Sequence, residues 1–193
     1  MARIVVTEFV TLDGVMEDPG GGEKDTFDRG GWAFQFERGE EGDKFKLDET
    51  MGSDALLLGR RTFEEFAKHW PERDGEFADK FNNSTKYVVS STLTDPESVW
   101  SNSQVVGVDE IAGLRDRDGG EIVVHGSGTL VRALLEQGLV DELRLMVFPV
   151  VLGGGKRLLD ETPSPQRLRL VESRPVGPDG VVILIYGPAG DDA

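Results

Sequence analysis

Short apolar runs rich in β-branched residues recur along the chain, the early ones separated by helical segments and the last ones following each other with no helix between them. Strands joined through helices make parallel crossovers, whereas a directly joined pair runs antiparallel. The predicted fold is therefore α/β: a mixed, mostly parallel central sheet with helices on both faces and an antiparallel C-terminal edge. In such sheets ligands bind beyond the carboxyl ends of the strands, where the next helices begin.

Strands are predicted over residues 3–12, 55–59, 86–90, 104–108, 121–125, 142–152, 168–173 and 181–186. Helices are predicted over 42–51, from the Gly59 junction to Pro71, and over 129–138. The second helix carries Phe63, Phe66, Ala67 and Trp70 at i, i+3, i+4 and i+7, a core stripe that leaves His69 in solvent. The third puts Leu130, Val131, Leu134 and Leu135 on one face and ends at Gly138. Residues 17–31, rich in Gly, Asp, Glu and Pro, read as a mobile lid in preference to a structureless insertion. The length suits one core, so residues 1–187 are expected to form a single domain and 188–193 a frayed tail.

The chain has no cysteine, which excludes disulfides, thiolate zinc sites and a cysteine nucleophile. Two histidines, His69 and His125, cannot build a multi-histidine site alone, so no metal is expected. No apolar run nears the ~20 residues of a membrane span, and the first residues read as strand, not as a cleavable leader. A soluble cytoplasmic protein is the expectation. The net charge of −15 disfavours nucleic acid and anionic lipid as partners, and serves solubility.

Against that acidic background the pair Arg60-Arg61 stands out, because it opens a helix. A helix N-terminus already carries roughly half a positive charge, so two cations there call for an anion. Gly59, Arg60, Arg61 and Thr62 could supply it with backbone N–H groups, guanidinium forks and a hydroxyl. The alternative is surface pairing of the arginines with Glu64 and Glu65. A second strand end, Ser90-Ser91-Thr92, offers hydroxyls for a ribose or phosphate. A third, His125-Gly126-Ser127-Gly128-Thr129, runs through glycines into a helix, either as a tight turn or as a close approach for a pyrophosphate. It lacks the last glycine of G-x-G-x-x-G, which argues against an ordinary NAD-type Rossmann domain. The turn 153–157, Gly-Gly-Gly-Lys-Arg, is a plain turn or a substrate-phosphate site through Lys156 or Arg157. Asp13 ends the first strand and can serve as a turn aspartate.

Taken in order, Thr11-Leu-Asp-Gly14, Leu57-Leu-Gly-Arg-Arg-Thr-Phe-Glu64, Val89-Ser-Ser-Thr92, Val124-His-Gly-Ser-Gly-Thr-Leu130, Val140-Asp-Glu-Leu143 and Pro149-Val-Val-Leu-Gly-Gly-Gly155 resemble the dihydrofolate-reductase-like superfamily. They are most similar to the reductase domain at the C-terminal end of the riboflavin-biosynthesis deaminase–reductase and to its stand-alone relatives, over nearly the whole chain. The resemblance implies NADPH lying extended across the strand ends. Arg60 and Thr62 then match contacts to the adenosine phosphate, Ser90 and Ser91 the adenosine side, and Gly126, Ser127, Gly128, Thr129 and Leu130 the pyrophosphate loop. Asp13 matches a position beside the substrate pocket.

The implied activity is NADPH-dependent reduction of a small heterocyclic or carbonyl-type metabolite, such as a ribosylaminopyrimidine. The alternatives are a non-catalytic nucleotide-binding module of the same fold and a dihydrofolate-type reductase, whose pterin-anchoring acid would fall near Asp43 or Asp48. Without cysteine the chain lacks the partner deaminase's zinc site. The segments 143–152 and 181–186, apolar on both faces, point to a homodimer.

Overall fold

The computed structural model describes residues 1–22, 27–160 and 162–190. Its strands are β1 (Arg3–Thr11), β2 (Ser53–Gly59), β3 (Thr85–Val89), β4 (Ser103–Val106), β5 (Glu121–His125), β6 (Glu142–Phe148), β7 (Leu168–Val176) and β8 (Val181–Pro188). They form one sheet in the order β4-β3-β2-β5-β1-β6-β8-β7. All pairs up to β1–β6 are parallel, and β8 runs antiparallel to both β6 and β7. The expected mixed sheet with an antiparallel C-terminal edge is what the chain builds.

Helices α1 (Gly39–Gly52), α2 (Arg60–His69) and α3 (Glu76–Asn83) lie on one face, with α4 (Ile111–Arg115) and α5 (Gly128–Glu136) on the other. Alternation along β2 explains both: Leu57 joins the core under α4 and α5, while Leu56 and Leu58 pack with Phe63, Phe81 and Trp100 under α2 and α3. The aromatic stripe of α2 behaves as expected, with Phe63 buried, Phe66, Ala67 and Trp70 against that core, and His69 exposed. A third core gathers Trp32, Met146, Phe148, Ile183 and Ile185 beside α1.

Several boundaries differ from expectation for identifiable reasons. Strand β6 stops at Phe148 instead of residue 152 because Pro149 has no N–H to donate to a ladder. Strand β8 continues to Pro188, where Leu168 and Arg169 of β7 pair with Pro188 and Gly187. Residues 191–193 of the expected tail lie outside the described residues. Helix α3 was not expected, since its eight residues follow a Pro and Gly-containing turn and offer only Phe77, Ala78 and Phe81 as an apolar face.

Two buried cations fasten these layers. Lys86 is fully buried and donates to the carbonyls of Asn82 (2.9 Å), Ser84 (2.9 Å) and Ser101 (3.0 Å), over the ring of Trp100 at 4.3 Å. Burial pushes its ammonium down to about 8. Lys46 of α1 donates to Thr7 Oγ1 and to Glu49 Oε2, both at 2.7 Å, and Glu49 also faces Arg144 at 3.6 Å. A lone buried charge costs several kcal/mol, so each is paired or caged by carbonyls.

Candidate cofactor and active site

At the carboxyl edge of the parallel strands, α2 and α5 begin side by side. Ser127 Oγ accepts from the Gly59 N–H at 2.8 Å and donates to Thr62 Oγ1 at 2.8 Å, so two expected site segments meet. Gly126 between them has φ of 62°, and a Cβ there would stand 2.8 Å from Thr62 Cγ2. Only glycine fits, and the Thr62 side chain packs directly against this backbone, so the strand end forms a glycine cradle that seats the start of α2. Ser127 itself is left-handed, at φ 65° and ψ 49°, a conformation a non-glycine residue adopts at some cost. No side chain caps either helix. Their first-turn N–H groups and dipoles are therefore available to an anion.

The other expected contacts arrange themselves around this cradle. Arg60 holds Glu64 through Nη1, at 3.0 and 3.1 Å to the two carboxylate oxygens. Arg61 is exposed and makes no hydrogen bond or ion pair among the described residues. Ser90 Oγ accepts from the N–H groups of Thr92 (3.1 Å) and Leu93 (2.9 Å), closing the turn after β3 and leaving Ser91 and Thr92 exposed. Gly128 borders Met16, Thr129 is exposed beside Arg132, and Leu130 packs into the core, so its side chain faces away from any ligand.

Asp13 closes the first strand onto the turn after β6. Its carboxylate accepts from Thr11 Oγ1 (2.6 Å), the Leu152 N–H (3.2 Å) and the Gly153 N–H (2.9 Å). The Thr11 hydroxyl foremost, with the two backbone N–H groups, holds its carboxyl down at about 2. An acid so stabilised is held in its ionised form and bridges the two loops.

Lys156 and Arg157 are also occupied. Lys156 pairs with Glu17 through its ammonium and donates its backbone N–H to the other Glu17 oxygen at 2.9 Å. Burial alone would raise the Glu17 carboxyl, but Lys156 holds it below the usual range. Arg157 Nε donates to the Asp13 carbonyl at 3.0 Å, with Nη2 at 3.8 Å from its carboxylate.

The middle of the expected lid, residues 23–26, lies outside the described residues. Its flanks are anchored: Trp32 Nε1 donates to the Glu17 carbonyl (2.9 Å) and the Gly31 N–H to the Asp18 carbonyl (2.8 Å).

Two further buried polar groups lie near the junction: Glu8, which had no sequence signal beyond being a polar residue in an apolar strand, and His125, which opens the third expected strand-end segment. Glu8 of β1 is only 6% exposed, and its Oε1 has no partner among the described residues. Burial pushes its carboxyl up to about 8, against the pull of the Lys46 ammonium and the Gly126 N–H. His125, just before the cradle, is buried against Phe81 at 5.0 Å. Burial and the Lys46 charge hold its imidazole well below the ordinary value, so it is neutral. Asp43 and Asp48 are exposed and paired with Arg38 and Lys44. The described residues bring no three acidic or histidine side chains together as a metal site, and no described helix is long and apolar enough to cross a membrane.

On the flank of β1 away from α5 lies a cavity of about 430 Å³, lined by Phe9, Ala33, Phe34, Phe36, the segment 37–40 and Asp43. Phe9 and Phe36 are backed by Phe148, at ring distances of 5.2 and 6.0 Å.

Known proteins resemble this chain in sequence or in fold. The protein YyaP of Bacillus subtilis (strain 168), itself uncharacterized, is 29% identical over 191 residues, covering 95% of this chain and 94% of YyaP. YwjB of the same organism, also uncharacterized, is 28% identical over 151 residues, covering 76% of this chain and 80% of YwjB. Among solved structures, a putative riboflavin biosynthesis protein from Shewanella sp. PV-4 superposes with a TM-score of 0.75 at 24% identity, covering 97% of this chain and 99% of its own. A dihydrofolate reductase from Enterococcus faecalis, complexed with NADP(H), superposes with a TM-score of 0.61 at 16% identity, covering 96% and 95%. At such identities these two structures establish the fold. The family model of the RibD C-terminal domain matches residues 2–182, and the chain belongs to that family.

Proposed function

We propose that this chain is an NADPH-dependent reductase of a small heterocyclic or carbonyl-type metabolite, working in the cytoplasm as a homodimer. The observation that carries the reading is the junction at Thr62 and Ser127, where two uncapped helix N-termini share a glycine cradle. The residues present fit a dinucleotide. The N–H groups of Ser127, Gly128 and Thr129 would hold the pyrophosphate beside Gly126, and Arg60 or Arg61 the 2′-phosphate. Ser90, Ser91 and Thr92 would border the adenosine.

When bound, the nicotinamide supplies the hydride. The protein's own part is to orient the partners and exclude water. Asp13 acts here as a positioning residue, holding the turn at Leu152 and Gly153 against the end of β1.

Support comes from family membership, from the dihydrofolate reductase that shares the fold and holds NADP(H), and from the name of the Shewanella relative. Melting the protein with NADPH, with NADH and with neither tests the proposal. A rise with NADPH exceeding that with NADH is expected; no rise with either sinks the nucleotide assignment.

A further inference from the structure

We propose, resting on the reductase reading above, that the cavity beside β1 takes a planar heterocycle that is uncharged or cationic and carries no phosphate. The volume, about 430 Å³, lies within the roughly 300–1,000 Å³ typical of small-molecule sites. Phe9 and Phe36 are held from behind by Phe148, and Phe34 stands at the rim with 75% of its surface exposed. The Phe9 ring already carries the Arg38 guanidinium at 5.3 Å and the Lys46 ammonium at 5.1 Å, so Phe36 and Phe34 offer the ring faces left for a flat partner. Phe9 belongs to the central strand, four residues before Asp13, so a ring seated there borders the carboxyl edge where the cofactor would lie.

Charge decides the substrate class. Among the described residues lining the cavity, Glu37, Glu40 and Asp43 face a single cation, Arg38. That cation is engaged: its Nε donates to Asp43 at 2.6 Å, and its guanidinium lies 5.3 Å from the centre of the Phe9 ring. The N-terminus of α1 nearby would favour an anion, but Glu40 and Glu41 already fill its first turn. The described cations around the cavity and at the neighbouring turn are engaged as well, Lys46 on Thr7 and Glu49, Arg29 on the Leu152 carbonyl, Lys156 on Glu17 and Arg157 on Asp13. A phosphate dianion entering this cavity would meet like charge, with no unengaged fork among the described residues around it. This separates the chain from a reductase of a ribosylaminopyrimidine phosphate.

Calorimetric titration of the NADP⁺-saturated protein with 5-amino-6-ribosylaminouracil and with its 5′-phosphate tests the proposal. The phosphate-free compound is expected to bind at least tenfold tighter. Phe34→Ala, at a position 75% exposed, should weaken that binding at least fivefold while leaving the NADPH melting shift unchanged. Replacing Glu37 and Glu40 by Gln should narrow the gap between the two compounds. Equal or tighter binding of the phosphate, no binding of either compound, or indifference to Phe34→Ala overturns the assignment. If NADPH gives no melting shift, the reductase reading falls, and the same pair titrated without cofactor still tests the cavity.

Discussion

Ser127 and Thr62, 65 residues apart in the chain, are joined hydroxyl to hydroxyl at 2.8 Å, which fastens the first turn of α5 to the first turn of α2. Ser127→Ala removes this bond and the one from the Gly59 N–H, together worth about 1–2 kcal/mol. A loss of roughly 3–6 °C in melting temperature follows for a domain of this size. The rise on adding NADPH should shrink as well. Ser127→Gly relieves the left-handed strain yet lacks the hydroxyl, so a normal NADPH shift in that variant would show the bond to be dispensable for binding.

Arg60 rests on Glu64 in an i, i+4 pair that is about 40% exposed on each side. Such pairs contribute about 0.3–0.5 kcal/mol, whereas a charge-assisted contact to phosphate contributes roughly 1.5–3 kcal/mol. Phosphate therefore wins the guanidinium. Glu64→Gln should tighten NADPH about twofold, and Arg60→Ala should remove much of the preference over NADH. Calorimetry finding no change in either variant would transfer the role to Arg61, which has no hydrogen bond or ion pair among the described residues.

Glu8 gives the pH dependence a definite sign. Its folded value, about 8, exceeds the ordinary 4.5, so the native state keeps a proton that the unfolded chain releases. Its contribution is fully present below about pH 4.5 and is lost as pH rises through 8. Urea unfolding of the wild type and Glu8→Gln at pH 5 and pH 8.5 isolates the effect. The wild type should lose on the order of a few kcal/mol relative to the variant across that interval. A constant difference would mean that Glu8 titrates normally.

The homodimer is expected to form through the far face of the late strands. Leu145 pairs with Leu184, and Val147 with Val182, in register on a face where all four are only half-buried, and Leu170 extends it beside Tyr186. Light scattering at low and high salt should give a dimer mass, and Leu184→Glu a monomer. A monomer for the wild type in both buffers ends the idea.

The strands and the helices with an apolar stripe were legible because burial follows their own periodicity: Leu130, Val131, Leu134 and Leu135 are buried as spaced. Helix α1 was legible only in part, since it buries Lys46, Glu49 and Thr50 in place of an apolar face. The strand-end cradle at Gly126 could be read locally. Its bond from Ser127 to Thr62 could not, because that depends on which strands become neighbours. Asp13 could be read as a turn aspartate or as a residue beside a substrate pocket, but its partners Leu152 and Gly153 come from the far end of the chain. Glu8 and His125 are polar residues within apolar strands, and only the sheet shows what surrounds them.

Strand β1 lies between β5 and β6, so Arg3 and Val5 find their partners only at Glu121 and Glu142. Synthesis at about 5–20 residues per second leaves this strand unpaired on the ribosome for on the order of ten seconds. Its run Ile4-Val5-Val6, fully buried in the finished protein, is offered meanwhile to chaperones or to other nascent chains. The centre of the sheet is thus the first segment made and among the last secured, and a nascent chain stalled before residue 121 carries a core strand with nothing to pair with.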